Sequence, residues 1–276
     1  MVRIGKTSTL EIVKFTESGA YLDGGPYGEI LLPKRYVQEQ HTAGDELEVF
    51  VYFDSEDRLV ATTEQPLARV GECAFLEVVD VAAPGAFLDW GLQKNLLVPY
   101  REQAVRMEVG KRYLVRVYVD ERSGRIAASS RIDRFLNQDP LAEKPGDEVD
   151  LLIARKTELG WMAVIHHTHS GILYFNELFQ PVAIGDCCKG YIRKIRSDGK
   201  IDLSLERFGY QKVDAVLENI LDKLKASGGF LPFTDHSDPE SIQKVFGISK
   251  KTFKKAIGAL YKNRLLAIEG EGIRLL

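Results

Sequence analysis

Basic side chains crowd one short stretch of the chain, YIRKIRSDGKIDLSL at residues 191–205. Apolar and polar residues alternate over residues 201–205, the period of a half-buried strand, and Asp198-Gly199 suits a tight turn. The stretch therefore reads as a β-hairpin. Cations on such a hairpin are suited to contacting phosphate groups. The residues predicted to do so are Arg193, Lys194, Arg196 and Lys200.

Aromatic side chains beside such cations would add base stacking, worth about 1–3 kcal/mol per base. The candidates for stacking on RNA are Tyr21, Phe87, Trp90, Trp161, Tyr174 and Phe175. The alternative is that these rings belong to cores, where aromatic residues usually lie. Further cations at similar places earlier in the chain are Arg35, Arg58, Arg101 and Arg125.

A second basic cluster lies near residue 255, on a segment with helical periodicity. Its outward positions are predicted to contact nucleic acid, and they are Lys250, Lys251, Lys254, Lys255 and Lys262. Residues that read base edges are sparse there, with only Asn263 and Arg264 at the end. Backbone contact to RNA or DNA is the expectation, and a solvated or packed face is the alternative.

Other chemistries find little support. His166, His167 and His169, with Cys187 and Cys188 later, fit no standard zinc spacing, so no metal is expected. There is no phosphate-binding glycine loop with its lysine and no nucleophile motif. We therefore expect no cofactor and no enzymatic activity.

Composition is that of an ordinary soluble protein, with 45% hydrophobic and 28% charged residues in 276. No apolar run approaches the roughly 20 residues that cross a bilayer, and the first residues lack the features of a signal peptide. Three cysteines make no disulfide framework. A reducing, cytoplasmic setting is expected, without contact to a membrane.

The net charge of −3 is unevenly distributed. Residues 1–70 carry 7 basic and 12 acidic side chains, a net charge of −5, whereas residues 211–276 carry 11 and 8, a net charge of +3. A positive face can therefore exist on a chain that is negative in total.

An internal repeat organises most of the chain. GAYLD at 19–23 and GAFLD at 85–89 are each followed by an apolar stretch that ends in proline. An alternating strand comes next in both copies, LEVFVYFD and YLVRVYVD, so the copies are offset by about 66 residues. A weaker third copy spans about 145–207, with GWMAV in place of GAFLD.

Five short strands in about 65 residues favour a small closed barrel, because closure removes exposed strand edges. We predict three tandem OB-fold barrels, at residues 1–67, 68–140 and 145–208, with an SH3-like barrel as the structural alternative. The fold class is therefore mostly β with an α/β C-terminal module.

The tail at residues 211–276 is predicted to be a winged helix-turn-helix. Apolar residues of its first helix share one face: Val213, Val216, Leu217, Ile220, Leu221 and Leu224. Asp238 and Gly247 bound a short second helix, and Ser249 caps a third. The apolar stripe of that third helix is predicted to be Phe253, Ile257, Leu260 and Tyr261, and a hairpin follows it.

These motifs resemble a known family. The GA(F/Y)LD strand and the DGKIDLSL hairpin resemble the RNA-binding domain of ribosomal protein S1. Three such units before a winged helix are similar to the bacterial conserved virulence factor B (CvfB) family. The most specific stretches are GILYFNELF, GYIRKIRSDGKIDLSL and SKKTFKKAIGALYKNRL. The resemblance covers essentially the whole chain and implies a cytoplasmic, regulatory RNA-binding protein.

The chain departs from the S1 pattern at two places. Met162 replaces the usual aromatic residue in the third unit, and Pro33, Pro99 and Tyr174-Phe175 stand near the usual histidine. The binding surface is therefore predicted to be modified.

The functional expectation is binding of single-stranded RNA with weak sequence preference, led by the third barrel and the winged helix. One alternative is a transcription regulator that binds duplex DNA through the winged helix. Another is an adaptor that binds proteins of the ribosome or of RNA polymerase. The RNA, the regulated process and the oligomeric state are not determined by the sequence.

Overall fold

The structure is a computed structural model that describes residues 2–178, 180–206, 211–262 and 264–276, with the backbone alone for residues 211–215. Three five-stranded units come first and a small helical module follows. The chain divides into two compact parts, Met1–Leu203 and Ser204–Leu276. The fold is thus mostly β with a winged helix at the end, as the repeat and the helical tail predict.

The first barrel is closed. Its strands run in the spatial order β1-β2-β3-β5-β4, and a short parallel pairing between Leu31 and Val60 joins the third strand to the fifth. The strands are β1 Thr7–Thr16, β2 Gly19–Asp23, β3 Glu29–Pro33, β4 Glu46–Phe53 and β5 Leu59–Thr62.

The second and third units repeat this order. In the second unit, β8 and β10 lie side by side without a described ladder between them, whereas a parallel ladder closes the third. The second consists of β6 Cys73–Ala82, β7 Gly85–Asp89, β8 Leu96–Pro99, β9 Arg112–Val119 and β10 Ile126–Ser129. The third consists of β11 Glu148–Lys156, β12 Gly160–Ile165, β13 His169–Tyr174, β14 Cys187–Ile195 and β15 Ile201–Ser204.

The second strand of every barrel begins with a glycine, and the physical reason is the same in all three. A Cβ atom at Gly19, Gly85 or Gly160 would lie 2.0–2.1 Å from a carbonyl oxygen of the neighbouring third strand. Only glycine allows the two backbones to approach so closely. The glycine of the sequence repeat is therefore required by this close backbone contact in each barrel.

Apolar contacts join the first barrel to the second. Phe50 of β4 is fully buried and packs edge-on against Trp90, with ring centroids 5.7 Å apart. Tyr52 and Val60 of the first barrel belong to the same buried cluster as the core of the second. Trp90, which is only 3% exposed, is therefore not a stacking surface for RNA, and that expectation was wrong.

A second apolar contact joins the second barrel to the third. Ile132 and Leu136, in and after a 3-10 turn at Ile132–Phe135, pack with Met162 and Val164 on the outside of the third barrel. Because apolar surface is buried at both junctions, the three barrels form one compact part of the chain.

The winged helix has three helices and a three-stranded sheet. Its elements are α1 Gln211–Ala226, β16 Phe230–Leu231, α2 Pro239–Phe246, α3 Lys250–Lys262, β17 Leu266–Glu269 and β18 Gly272–Leu275. The Asp238 side chain accepts a hydrogen bond from the Ser241 amide at the start of α2, and Gly247 ends that helix in the left-handed conformation. The Ser249 hydroxyl accepts from the Thr252 amide at the start of α3.

Two details of this module differ from expectation. Tyr261 is 58% exposed, and Ala256 lies in the core with Phe253, Ile257 and Leu260. The core-facing arc of α3 therefore runs through Ala256 rather than Tyr261. The two-residue strand β16 was not predicted because it is too short to show a periodicity. The side chain of Val213, predicted to share the apolar face of α1, lies outside the described residues.

Candidate nucleic-acid interface

A cleft of about 1050 Å³ opens on the third barrel. Its walls are the β11–β12 turn, the β14–β15 turn and the segment at residues 137–141, and its floor is formed by β12, β13 and β15. In OB folds, the face of the second and third strands and the two turns that flank it bind oligonucleotides. The cleft thus occupies the position where this architecture accepts a nucleic-acid strand.

Tyr174, Arg196 and Asp202 form a hydrogen-bonded cluster in this cleft. Arg196 donates from Nε to both carboxylate oxygens of Asp202, at 2.9 and 3.1 Å, and its Nη2 lies 2.9 Å from Oδ1. The Tyr174 hydroxyl donates to Asp202 Oδ1 at 3.1 Å and accepts from Arg196 Nη2. Three separate parts of the barrel, the end of β13, the β14–β15 turn and β15, supply one residue each.

Charge and burial reinforce this cluster. The hydrogen bond and negative charge of Asp202 raise the pKa of Arg196. Burial and the hydrogen bond to Asp202 raise the pKa of the Tyr174 phenol. Both groups therefore stay protonated at neutral pH, so the cluster presents an arginine cation and a neutral tyrosine.

The other cations of the hairpin are partly compensated. Lys200 lies 3.0 Å from Asp198, and this pairing lowers the pKa of the Asp198 carboxyl. Arg193 pairs with Glu177. Lys194 is exposed and makes no hydrogen bond or ion pair within the described residues. The hairpin is therefore less positive than its sequence suggests, although Lys194 and Lys200 remain exposed.

The predicted aromatic residues of the third barrel lie on different faces. Tyr174 lines the cleft, and Phe175 is 39% exposed with Lys156 Nζ 5.3 Å from its ring centroid. Trp161 has the register position of Ala20 and Ala86, which are buried inside the other barrels. Because side chains alternate between the faces of a strand, half-buried Trp161 belongs to the inward row, and its role as a stacking surface stays a prediction.

Met162 lies in the cleft but is covered on one side. It pairs with Arg155 and Ile172 as Tyr21 pairs with Lys14 and Leu31, so it replaces the aromatic residue of the first barrel. Contacts with the second barrel leave it only 4% exposed. The third barrel has thus exchanged a ring on its outer face for a packing contact.

The equivalent cleft on the second barrel is smaller, about 380 Å³. Phe87 lines it, but the β4–β5 turn of the first barrel borders its mouth. Asp57 of that turn lies 2.6 Å from Arg125, and the Asp54 carbonyl accepts a hydrogen bond from Lys94 Nζ at 2.5 Å. Arg125 and Lys94, which could otherwise contact phosphate, are therefore engaged in contacts with the first barrel.

The first barrel is acidic around its own aromatic residue. Tyr21 is half-buried beneath Lys14, whose Nζ lies 5.2 Å from the ring centroid and 2.5 Å from Glu29. Arg58 is held by Asp54 and Glu56, and Arg35 donates to Gln93 of the second barrel at 2.6 Å. Arg101 likewise pairs with Asp120 at 2.5 Å. The pairings of Lys14 and Arg58 with carboxylates agree with the acidic surplus of residues 1–70.

The winged helix presents a lysine row. Lys251, Lys255 and Lys262 lie on the side of α3 opposite its core and are exposed, with Gly258 between them. Lys254 pairs with Asp235 at 2.9 Å, and Lys250 donates to the His236 carbonyl at 3.3 Å. Asn263, named as a possible base reader, lies outside the described residues.

The wing carries the opposite charge. Glu269 ends β17 and Glu271 lies in the turn before β18, and of the two only Glu269 has a described partner, Arg274 at 2.9 Å. Two carboxylates at a wing tip would repel the phosphates of a duplex lying along α3. The acidic wing was not recognised from the sequence, although GEG following a glutamate was visible there.

His166, His167, Cys187 and Cys188 line one surface pocket of about 440 Å³, whereas His169 does not. His166 and His167 lie in a turn, with φ of 45° and 62°. His167 Nδ1 accepts from the Cys73 amide, whereas Cys187 and Cys188 lie on β14. Within the described residues, no group of three or more His, Cys, Asp or Glu could hold a metal ion.

Comparisons with known proteins agree with this architecture. The model of the S1 domain family matches residues 4–64, and that of the CvfB-like winged helix domain matches residues 218–275. The protein YitL of Bacillus subtilis is 30% identical over 275 residues, which cover 95% of this chain and 90% of YitL. Conserved virulence factor B of Staphylococcus aureus (strain MRSA252) is 27% identical and is covered to 94%.

A solved structure is also similar. It is a multidomain protein with nucleic acid binding domains from Streptococcus pneumoniae, 23% identical, with a TM-score of 0.41 over 99% of this chain and 98% of that one. S1 domains and winged helices are both nucleic-acid-binding architectures, so nucleic-acid binding is the general function that the domain matches support. No helix in the described parts of the chain is long and apolar enough to cross a membrane.

Proposed function

The chain belongs to the conserved virulence factor B family, and from this premise we propose that it binds single-stranded RNA without catalysing a reaction. The cleft of the third barrel carries the proposal. It combines the OB-fold binding position with Arg196, the Tyr174 ring and the exposed Lys200. An RNA strand needs these groups for phosphate contact and base stacking.

Phosphate contact is expected to dominate the affinity. Arg196, Lys194 and Lys200 can neutralise phosphates, and such contacts carry no sequence information. Tyr174 and Phe175 offer stacking surfaces to any base. We therefore propose weak sequence preference. A cytoplasmic regulator of gene expression that acts on many transcripts fits these properties.

The winged helix would provide a second contact to the same strand. Its lysine row of Lys251, Lys255 and Lys262 suits backbone contact. Because both sites lie on one chain, binding at one raises the effective concentration at the other. Two individually weak sites can then hold a long strand firmly.

Duplex DNA is the second candidate ligand, and the same lysine row favours it. In winged helices a recognition helix of this kind enters the major groove. The acidic wing opposes this mode, because Glu269 and Glu271 would face the phosphates. RNA is thus the better-supported ligand. An adaptor that binds only proteins would need neither the cations of the third-barrel cleft nor the lysine row of α3.

Fluorescence anisotropy of the full chain with labelled single-stranded RNA and with duplex DNA, at two salt concentrations, tests the proposal. We expect tighter binding to RNA at both salt concentrations. The double variant Lys194→Glu/Lys200→Glu should weaken RNA binding roughly tenfold, because two phosphate contacts become repulsive.

Arg58→Glu is the matched control, because Arg58 has the place of Lys200 in the first barrel. It should change the affinity by less than about twofold, since the surrounding surface is already acidic. Negligible binding to both ligands at low salt would contradict the proposal. Preference for the duplex would favour the DNA alternative, and normal binding by the double variant would remove the third barrel from the interface.

A further inference from the structure

We infer that Asp202, although negatively charged, strengthens RNA binding by holding Arg196 and Tyr174 in the orientation that receives a phosphate and its adjacent base. The inference rests on the proposed function and names a positioning residue for it. Asp202 accepts from both partners and its side chain is only 13% exposed. It is therefore placed to orient them rather than to meet the RNA itself.

The cluster is peculiar to the third barrel. The pairing partner of the first glycine of each second strand is Tyr174 here, but Pro33 and Pro99 in the other barrels. The Arg196 amide donates the hairpin bond to the Lys200 carbonyl, as the amides of Asp54 and Asp120 donate to the carbonyls of Arg58 and Arg125 at the same position of their turns. Asp202 stands where the other barrels have Val60 and Ala127. All three members of the cluster are thus absent from the other two barrels.

The three residues of the cluster depend on one another. Without Asp202, Arg196 would have no carboxylate partner on β15. Without Arg196 and Tyr174, Asp202 would be a largely buried carboxylate that lacks these two hydrogen-bond donors. In the first and second barrels, the acidic residue of the turn accepts backbone amides of its own loop, such as Glu56 and Arg122. The third barrel has replaced that loop-closing acid by a cation directed at the cleft.

The geometry leaves one edge of the guanidinium available. Nε and Nη2 of Arg196 are used by Asp202 and Tyr174, whereas Nη1 makes no hydrogen bond with the described residues. Nη1 carries two N–H donors, and phosphate oxygens are their natural acceptors. Because the guanidinium is already fixed by its partners, less side-chain freedom is lost when a phosphate binds.

Two effects of Asp202 on RNA oppose each other. Its charge repels phosphates, but this repulsion acts across a solvent-exposed cleft and is screened by salt. Its hydrogen bonds orient Arg196, and charge-assisted bonds of this kind depend on geometry. If orientation dominates, removal of the negative charge will weaken binding, which is the reverse of what simple electrostatics predicts.

Asp202→Asn tests this in the full chain, with single-stranded RNA and anisotropy at several salt concentrations. The variant keeps the shape but loses the charge and one of the two acceptor oxygens, so Arg196 is held less firmly. We expect the dissociation constant to rise roughly tenfold. The slope of log affinity against log salt should fall by about 0.7, the loss of one phosphate contact on a single strand.

Asp198→Asn is the matched control. It removes a negative charge from the same cleft, in the turn just before β15, but Asp198 pairs with Lys200 and makes no hydrogen bond to Arg196. Its RNA affinity should be unchanged or up to about threefold tighter, because Lys200 is released. Equal or tighter binding by Asp202→Asn would overturn the inference.

Tyr174→Phe provides a second variant, should Asp202→Asn fail to fold. It removes only the hydroxyl that bonds both Arg196 and Asp202 and keeps the stacking ring. A weaker affinity with a smaller salt slope is expected, and an unchanged slope would overturn the inference. Failure of the unmodified chain to bind RNA would instead reject the proposed function, so the two failures are distinguishable.

Discussion

At the scale of single residues, the cations of the candidate interface could be located from sequence, but their partners could not. Arg196 and Lys200 stand beside a turn that is visible in the sequence. Asp202 and Tyr174 meet only because β13 and β15 run parallel and adjacent, with Ile172 opposite Asp202. A parallel pairing between distant strands leaves no local pattern, so the cluster was beyond sequence reasoning.

His167 is another residue whose environment comes from the fold. Its Nδ1 accepts the Cys73 amide of the second barrel, and the Arg116 guanidinium donates to its carbonyl. Burial lowers its pKa below the usual 6.5, with Arg116 and His166 reinforcing the shift and Glu72 and Asp150 opposing it. The folded chain therefore holds His167 neutral.

The free energy of unfolding should decrease as pH falls below about 6.5, because the unfolded chain takes up a proton on this residue that the folded chain resists. His167→Asn should show less of this decrease, since asparagine keeps an acceptor and tolerates the φ of 62°. Denaturant unfolding at pH 7.5 and 5.5, followed by tryptophan fluorescence, measures the change in the free energy of unfolding between the two pH values.

Both tryptophans, Trp90 and Trp161, lie within residues 1–203, so fluorescence reports on the barrels. His236→Asn is the control, because His236 is 91% exposed and belongs to the other part of the chain. It should leave the pH dependence of the barrels unchanged. A His167→Asn variant with the full pH dependence would contradict this assignment.

At the scale of elements, the sequence predicted helix caps and turns correctly, but it did not predict which surfaces pack against each other. The caps at Asp238, Gly247 and Ser249 and the turn at Gly199, with a φ of 79°, were all recognisable because they depend on neighbouring residues. Trp90 was misplaced because its burial depends on contacts with another barrel. A sequence shows which residues are apolar, but not which surface covers them.

Helix α3 contains a glycine that its own packing does not require. A Cβ atom at Gly258 would have no neighbour within 4 Å, and the residue lies in the middle of an exposed helical face. Gly258→Ala should stabilise residues 204–276 by about 0.8–1 kcal/mol, the difference in helix propensity.

Thermal unfolding followed by far-ultraviolet circular dichroism measures this effect, because the α-helices among the described residues all lie in that part of the chain. The midpoint should rise by roughly 4–8 °C for each kcal/mol in a domain of this size. Ala256→Gly, which removes a buried methyl group from the same helix, should lower it. An unchanged or lower midpoint for Gly258→Ala would contradict the account of α3.

At the scale of the whole molecule, the repeat predicted the order of the barrels, and the structure shows how unequal they are. The cation that follows the turn is Arg58, Arg125 or Lys200 in the three barrels. The first is held by Asp54 and Glu56, and the second by Asp57 of the neighbouring barrel. Three related barrels therefore do not imply three equal binding sites.

The division of the chain into four domains remains a prediction, since the three barrels form one compact part. Their junctions are apolar, at Phe50 with Trp90 and at Ile132 with Met162. The first two barrels thus pack against one another and against the third, where we propose that binding is concentrated. RNA binding through the third cleft is the central claim.

Amide hydrogen exchange of the full chain, with and without saturating single-stranded RNA, tests that claim most directly. Bound RNA should slow exchange in peptides covering residues 169–175 and 193–203, because both line the cleft. Residues 19–33 of the first barrel should exchange at the same rate in both states. Protection of residues 19–33 with no change at 169–175 and 193–203 would contradict the account.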